Sequence, residues 1–297
     1  MKTTLRAVAL AAALVVLTSG CYLVQVDLAE SNGEAKPWFC NPIAPNSVTG
    51  PGMGTVDFYA GQTRSELSWE DCRVLGAQMD VAKDFAERYP TAADAEAAGY
   101  DRWLFNVPGM GTHHGDFGGL TSVVNAPGFD RFDPILPGTM SDTFNPAQPE
   151  FLQYDGNGPA ARLVGMSWYV RTTTGQPPEG FVGGNDWWHH HPIVCMSSVT
   201  GAIISVNQSD PTCDAQGGVN VHLDDYYMVH LWVVDDLEYH ADAFAPTHRC
   251  ITPTGAIRDM GDPCHTSALP GATASTAGTE VPAFCSLGLL APDPAST

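Results

Sequence analysis

Glycine and proline are the residues that most constrain this fold, since the chain contains 30 Gly and 23 Pro. Both interrupt helices, and proline also lacks a backbone hydrogen-bond donor. We therefore expect turns and short strands over much of the chain rather than long helices. Hydrophobic residues make up 44% of the sequence, which supplies enough apolar material for a core and excludes a disordered protein.

The charge balance is strongly acidic. The chain has 33 acidic and 13 basic residues, which gives a formal net charge of −20. Nucleic-acid binding depends on a basic surface, so this class of function is excluded. Anionic lipid headgroups would also be repelled, whereas cations would be concentrated near such a surface.

Residues 1–20 have the pattern of a secretory signal peptide. Lys2 and Arg6 provide the positive start, and an apolar run follows over residues 7–16. Small residues then precede Cys21, and this ending resembles the lipobox of bacterial lipoproteins, in which the cysteine is acylated. The pattern predicts an exported protein anchored by a lipid on Cys21 at the outer face of the membrane or the cell surface. The alternative is free secretion.

Export makes disulfides the expected state of the cysteines. Lipidation of Cys21 would leave an odd number, so that one thiol is free, is a ligand, or pairs with another chain. The pairs closest in sequence are Cys195 with Cys213 and Cys250 with Cys264, although spacing does not fix connectivity. No CxxC motif occurs, which argues against a zinc ribbon and a thioredoxin-like redox site.

Local signals predict an α+β fold, with N-terminal helices packed beside an antiparallel β-sheet or a cupin-like barrel. Capping-box patterns at 68–71 and 91–94 each open a helix, the first extending to about Arg88 and the second ending at Gly99. Alternating and apolar runs predict strands. The predicted strands are 151–154 and 162–170, joined as a hairpin, then 194–206, and 226–234 as a central strand.

These signals divide the chain into four parts. The predicted parts are a signal peptide at 1–20, a tether and irregular lead-in at 21–63, one α+β domain with a metal site at 64–264, and a loosely structured tail at 265–297.

Histidines are the residues that point to chemistry. His189 and His191 are two positions apart, and on a strand they share one face while His190 points to the other. Imidazole nitrogen is the commonest protein ligand of zinc and copper, so this pair is a candidate for binding one ion. The spacing from Gly183 to His189 and His191 also resembles the start of the first cupin motif. Cupins place a glutamate near position 195, where this chain has cysteine.

Three further residues are candidate ligands. His230 lies in the apolar run at 226–234, where a polar side chain needs a partner. That partner is either a backbone carbonyl or a shared metal ion. His113 follows a glycine-rich turn that can present a ligand, with a simple exposed loop histidine as the alternative. Glu150 precedes a predicted strand and is a candidate carboxylate ligand, with a simple edge position as the alternative.

The chain resembles a family of exported bacterial proteins whose activity is uncharacterised. The resemblance covers about residues 89–244. Its markers are Tyr89-Pro90-Thr91, Ala98-Gly99-Tyr100, Met110-Gly111-Thr112-His113, Pro149-Glu150 with Leu152 and Tyr154, Trp188-His189-His190-His191, and His230-Leu231-Trp232. The family pattern has histidines at 113, 189, 191 and 230, so the resemblance implies a shared fold and metal site without implying a reaction. Two departures are His114, where the family has an aromatic residue, and Asn145, where it has aspartate.

Three functions remain open from the sequence. The first is binding of a transition metal by His113, His189, His191 and His230, with zinc or copper expected, or iron if Glu150 joins. The second is a metal-dependent enzyme with three histidines and an open coordination position, although neither HExxH nor GxSxG occurs. The third is a metal-free, disulfide-stabilised interaction module of the cell envelope.

Overall fold

The computed structural model describes residues 21–41, 57–58, 65–116, 124–136, 142–206, 209–232, 243–248 and 250–252. The helices in these ranges are α1 (Cys21–Asn32), α2 (Trp69–Ala86), α3 (Ala92–Ala97) and α4 (Asp210–Ala215), with one 3-10 turn at Trp38–Cys40. The first strands are β1 (Asp57–Phe58), β2 (Asp101–Val107), β3 (Gly111–Gly115), β4 (Phe151–Tyr154) and β5 (Leu163–Arg171). The later strands are β6 (His189–His190), β7 (Ile193–Ser197), β8 (Ile203–Val206), β9 (Gly218–His222) and β10 (Tyr226–Leu231).

All ten strands of the described ranges belong to one sheet in the order β1-β6-β10-β5-β4-β3-β2-β8-β7-β9. Neighbouring strands are antiparallel except for the β2–β8 pair. The sheet curls into a half-barrel. The α+β prediction, with helices from the N-terminal part beside a mostly antiparallel sheet, is therefore confirmed. Within the described residues, no helix is both long enough and apolar enough to cross a membrane.

The strand predictions are confirmed with one refinement. The predicted hairpin forms from β4 and β5, and β10 lies between β5 and β6 inside the sheet. The run at 194–206 is two antiparallel strands, β7 and β8, because the chain reverses between them. At this reversal the Ser197 amide donates to the Ala202 carbonyl, and Gly201 adopts a φ of 72°.

Both capping patterns open helices as predicted. The Ser68 hydroxyl accepts a hydrogen bond from the Asp71 amide at the start of α2. Thr91 and Asp94 form a reciprocal capping box at the start of α3. These bonds satisfy amide groups that have no partner inside the first turn of a helix.

The prediction of an irregular lead-in was wrong for residues 21–32, which form α1 and pack on α2. Tyr22 and Val26 are buried in the core shared with α2. The helices approach closely because Gly76 has no side chain, and a Cβ at this position would lie 3.0 Å from the backbone nitrogen of Leu23. Tertiary packing therefore stabilises a helix for which the local sequence gives little signal.

Asp80 of α2 is the second reason why α1 is ordered. Its buried carboxylate accepts hydrogen bonds from the backbone amides of Tyr22 at 2.9 Å and Leu23 at 3.0 Å. These amides belong to the first turn of α1 and have no acceptor within the helix. A side chain of one helix therefore caps the start of another.

Replacing Asp80 with alanine is expected to lower the free energy of unfolding by about 1–3 kcal/mol, since two amides lose their acceptor. Asp80→Asn keeps one carbonyl oxygen, so its loss should be smaller. Urea denaturation of both variants measures the difference. An Asp80→Ala variant within about 0.5 kcal/mol of the parent protein would contradict the capping role.

Disulfides tie the loops to these elements. Cys195 pairs with Cys213, as predicted, and Cys40 pairs with Cys72 of α2. Cys21 and Cys250 are also disulfide-bonded, so each of the six cysteines in the described ranges is oxidised. A disulfide at Cys21 uses the sulfur that a lipid would need, so one molecule cannot carry both. Cys264, the predicted signal peptide at 1–20 and the predicted tail at 265–297 lie outside the described residues.

The two faces of the sheet pack against different layers. One face packs Leu152, Trp168 and Val229 against the helices. The other face packs Phe151, Tyr169 and Met228 against residues of β7, β8 and β9, because the curled sheet folds over on this side. The alternation of side chains along β4, β5 and β10 places successive residues on opposite faces, and a third, smaller cluster contains Val164 of β5 and Trp232.

Candidate metal site

The strand register brings three predicted histidines to the face covered by β7, β8 and β9. His113 of β3 lies opposite Gln153 of β4, and Met228 of β10 lies opposite His189 of β6. His230 is two residues beyond Met228 and therefore shares its face. Strand β5 lies between β4 and β10, so residues separated by up to 117 positions in the sequence become neighbours across the sheet.

The imidazole rings form a contiguous cluster. Ring centres are 5.2 Å apart for His189 and His230, 5.3 Å for His189 and His191, and 6.0 Å for His113 and His230. His113 is 2% exposed, and His189 and His230 are 0% exposed, whereas His191 is partly exposed. The structure thus brings together the four histidines that the sequence analysis selected. We call them the histidine cluster.

The neighbouring histidines belong to the other face. His190 stacks on Tyr227 with ring centres 5.5 Å apart and planes inclined by 7°. His114 packs edge-on against Tyr154 with ring centres 4.9 Å apart. This alternation agrees with the prediction that His190 points away from His189, and it separates the histidine cluster from both residues.

Gln153 connects two members of the cluster. Its amide nitrogen lies 2.9 Å from Nε2 of His113 and 3.4 Å from Nδ1 of His230. Gly165 provides the space, because a Cβ at this position would lie 2.8 Å from Oε1 of Gln153. Gln153 was not among the predicted site residues, although a glutamine between apolar residues of a strand was an available signal.

Met228 contacts the cluster through its sulfur. Its Sδ atom lies 3.1 Å from Nε2 of His230, and its side chain is buried. Met228 was not among the predicted site residues either, because a methionine in an apolar strand is usually a core residue. Its position two residues before His230 was the signal that both side chains share a face.

A backbone group orients His189. Its Nδ1 lies 3.3 Å from the carbonyl oxygen of Trp187. A carbonyl accepts hydrogen bonds only, so this contact favours the tautomer with the proton on Nδ1 and the lone pair on Nε2. Such a second bond is how proteins commonly fix a histidine as a metal ligand.

Burial keeps the three buried histidines of the cluster neutral. Loss of solvent, and to a smaller extent the neighbouring imidazoles, lower the pKa of His113 and of His189 to about 3. The pKa of His230 is also well below its usual value, first because of burial and then because of His189 and His113. Neutral imidazoles have the lone pair that a metal ion needs.

The structure does not bring Glu150 to the cluster. Its Oε2 atom accepts a hydrogen bond from the backbone amide of Tyr169 at 2.9 Å. Burial raises the pKa of Glu150 to about 8, and no histidine contributes to this shift. The predicted role of Glu150 as a ligand, and the alternative of iron that depended on it, therefore receive no structural support.

Replacing Glu150 with glutamine is expected to change the pH dependence of stability. The raised pKa means that the folded protein binds more protons than the unfolded chain between about pH 4.5 and 8. The Glu150 carboxyl therefore contributes stability that is lost as the pH rises through this range. Glu150→Gln keeps an acceptor for Tyr169 without the charge, so it should remove a loss on the order of a few kcal/mol. Urea denaturation from pH 5 to 9 measures the free energy of unfolding of both proteins. An equal dependence on pH in the parent and in Glu150→Gln would contradict the raised pKa of Glu150.

The distances between the ring centres fit metal ligation better than the present positions of the nitrogen atoms do. Two imidazoles on one tetrahedral zinc ion have centres about 5 Å apart, close to the separations of His189 from His230 and from His191. Within the described ranges, however, no three His, Cys, Asp or Glu side chains are arranged to hold one ion. The side chains must therefore rotate for three imidazoles to converge, and the Gln153 amide must leave its place between His113 and His230.

Comparisons with protein-family models, with curated proteins and with solved structures found no match. The resemblance to a family of exported bacterial proteins therefore stays a prediction from the sequence.

Proposed function

We propose that this protein is exported and binds a transition metal ion, zinc or copper, through His113, His189, His191 and His230. One observation carries the proposal: three fully or almost fully buried imidazoles lie next to one another, with the partly exposed His191 beside them. The ligands contain nitrogen and no thiolate, since the cysteines of the described ranges are in disulfides. Such a set suits Zn(II) or Cu(II).

The cost of burial supports this proposal. Moving a polar ring out of water into a protein interior costs free energy. Three buried imidazole rings occupy a face where Phe151 and Tyr169 show that apolar side chains also fit. A bound ion would compensate this cost, because the free energy of metal binding adds to that of folding.

The charge of the chain favours cations. A net charge of −20 raises the local concentration of positive ions near the protein. His191 is the member of the cluster with exposed surface, so it is the side chain that an incoming ion meets first. We propose that His191 is the outer ligand and that His189 and His230 are the inner ones.

Metal binding by the purified, metal-stripped protein tests the proposal. Zinc and copper should each bind at about one ion per chain and raise the melting temperature. Magnesium is the control, because it prefers oxygen ligands and should leave the melting temperature unchanged. A protein that retains no zinc or copper after dialysis, and whose melting temperature neither ion changes, would contradict the proposal.

The metal-free alternative also has a specific observation in its favour. The Gln153 amide already joins His113 and His230, and buried polar networks of this kind hold cores together. In that case, the cluster is a structural part of an interaction module, and the metal titrations give no response. The metalloenzyme alternative has no comparable support, because Glu150, the base considered from the sequence, accepts a hydrogen bond from the Tyr169 amide and no histidine contributes to its raised pKa.

A further inference from the structure

We infer that the ion of the histidine cluster is copper, held as Cu(I) with the thioether of Met228 as a ligand beside His230 and His189. This inference rests on the proposed function and narrows it. It adds a residue of a different chemical class, since a thioether is a soft ligand and imidazole is an intermediate one.

The distance between the two donor atoms is the first argument. Sδ of Met228 lies 3.1 Å from Nε2 of His230. Metal–sulfur bonds of about 2.3 Å and metal–nitrogen bonds of about 2.0 Å allow one ion to reach both atoms at an angle of about 90°. The amide nitrogen of Gln153 faces Nδ1 of His230, which places the ring proton on Nε2. An ion between Nε2 and Sδ therefore requires this proton to move to Nδ1 and the Gln153 side chain to turn its oxygen towards it, while the spacing of Nε2 and Sδ already fits one ion.

The strand register supplies the third ligand. Met228 pairs directly with His189 across the β10–β6 ladder, and the rings of His189 and His230 have centres 5.2 Å apart. The contact of His189 Nδ1 with the Trp187 carbonyl favours a lone pair on Nε2. Two strands thus hold one thioether and two imidazoles within a single patch of the sheet.

The chemical character of this patch favours a monovalent ion. All three ligands are neutral, and the side chains of Met228, His189 and His230 are buried. A divalent ion would keep its full charge in an apolar environment, which is costly. Cu(I) carries one charge and prefers soft ligands, and thioether sulfur selects it over Zn(II).

Replacing Met228 with leucine tests the inference, because leucine keeps the volume and removes the sulfur. Cu(I) affinity is measured by competition with a chromogenic chelator, and Zn(II) affinity is measured in parallel. We expect Met228→Leu to weaken Cu(I) binding by about tenfold or more and to change Zn(II) binding by less than about threefold. Met196→Leu is the matched control, since Met196 is buried in the same core, and it should change neither affinity.

X-ray absorption of the Cu(I)-loaded protein gives a readout that does not depend on affinity. The parent protein should show a sulfur neighbour of copper at about 2.3 Å, and Met228→Leu should lose it. The inference is overturned if copper has only nitrogen neighbours, or if Met228→Leu changes both affinities equally or neither. If the parent protein binds neither ion, the proposed function fails together with this inference. If Zn(II) binding persists while the sulfur plays no part, only this inference fails.

Discussion

Replacing both His189 and His230 with alanine is expected to weaken zinc and copper binding by at least about 100-fold. The two rings are completely buried and have centres 5.2 Å apart. Water molecules therefore cannot readily take their place as ligands when they are removed. His113 and His191 remain in this variant, but two imidazoles are too few ligands to bind an ion tightly. Isothermal titration or chelator competition measures the loss.

The matched control is His190→Ala, which removes the intervening histidine of the same segment. Its ring lies on the opposite face against Tyr227, so its metal affinity should stay within about threefold of the parent value. The double variant His189→Gln/His230→Gln provides a second test if the alanine variant does not fold, since glutamine fills more of the space. Circular dichroism verifies the fold of each variant. Parent-like metal affinity in a folded double variant would show that the histidine cluster is not the binding site.

Acid should destabilise the metal-free protein strongly between pH 6.5 and about 3. The pKa values of His113 and His189 fall from 6.5 to about 3 on folding, so within this range the unfolded chain binds more protons than the folded protein. The stabilisation present above pH 6.5 is then lost as the pH decreases towards 3. His230 shifts in the same direction. The loss in the free energy of unfolding should be on the order of several kcal/mol.

Urea denaturation of the metal-free protein from pH 4 to 7 measures this loss. The double variant His189→Gln/His230→Gln should show a shallower dependence on pH, because two of the histidines whose pKa is lowered on folding are gone, and His113 and His114 remain. Saturating zinc should make the dependence of the parent protein steeper, since protons and metal compete for the same nitrogens. A stability that stays constant from pH 4 to 7 would contradict the assignment of buried neutral histidines.

Glu150 and the histidines act in opposite directions. The carboxyl, with its pKa raised to about 8, favours the folded state at low pH, and the histidines favour it at high pH. Together they predict a maximum of stability near neutral pH for the metal-free protein.

Local patterns gave much of the fold because their physical causes are local. The hydroxyls of Ser68 and Thr91 cap the helices that follow them, and such bonds depend only on residues three positions away. The hairpin of β4 and β5 follows from two strand-like segments joined by a turn. Helix α1 was not predicted because it is stabilised by residues that are distant in sequence. These are Asp80, whose carboxylate caps it, and Gly76, which allows its close approach to α2.

The candidate site was predictable only in part, for a related reason. Side-chain alternation was enough to place His189 and His191 together and His190 apart. His113 was expected beside a glycine-rich turn or in an exposed loop, yet it lies buried on β3, since the glycine-rich segment before it is the turn between β2 and β3. The contacts of Gln153 and Met228 depend on the register between strands, and no residue pattern within one strand specifies that register.

Anomalous X-ray scattering from crystals of the zinc- or copper-loaded protein tests the central claim most directly. The account predicts one strong peak within bonding distance, about 2 Å, of nitrogen atoms from His189 and His230. It also predicts that the Gln153 amide moves if His113 joins them. A loaded crystal with no peak at the cluster, and with Gln153 still joining His113 to His230, would show that these histidines hold the core together and bind no metal.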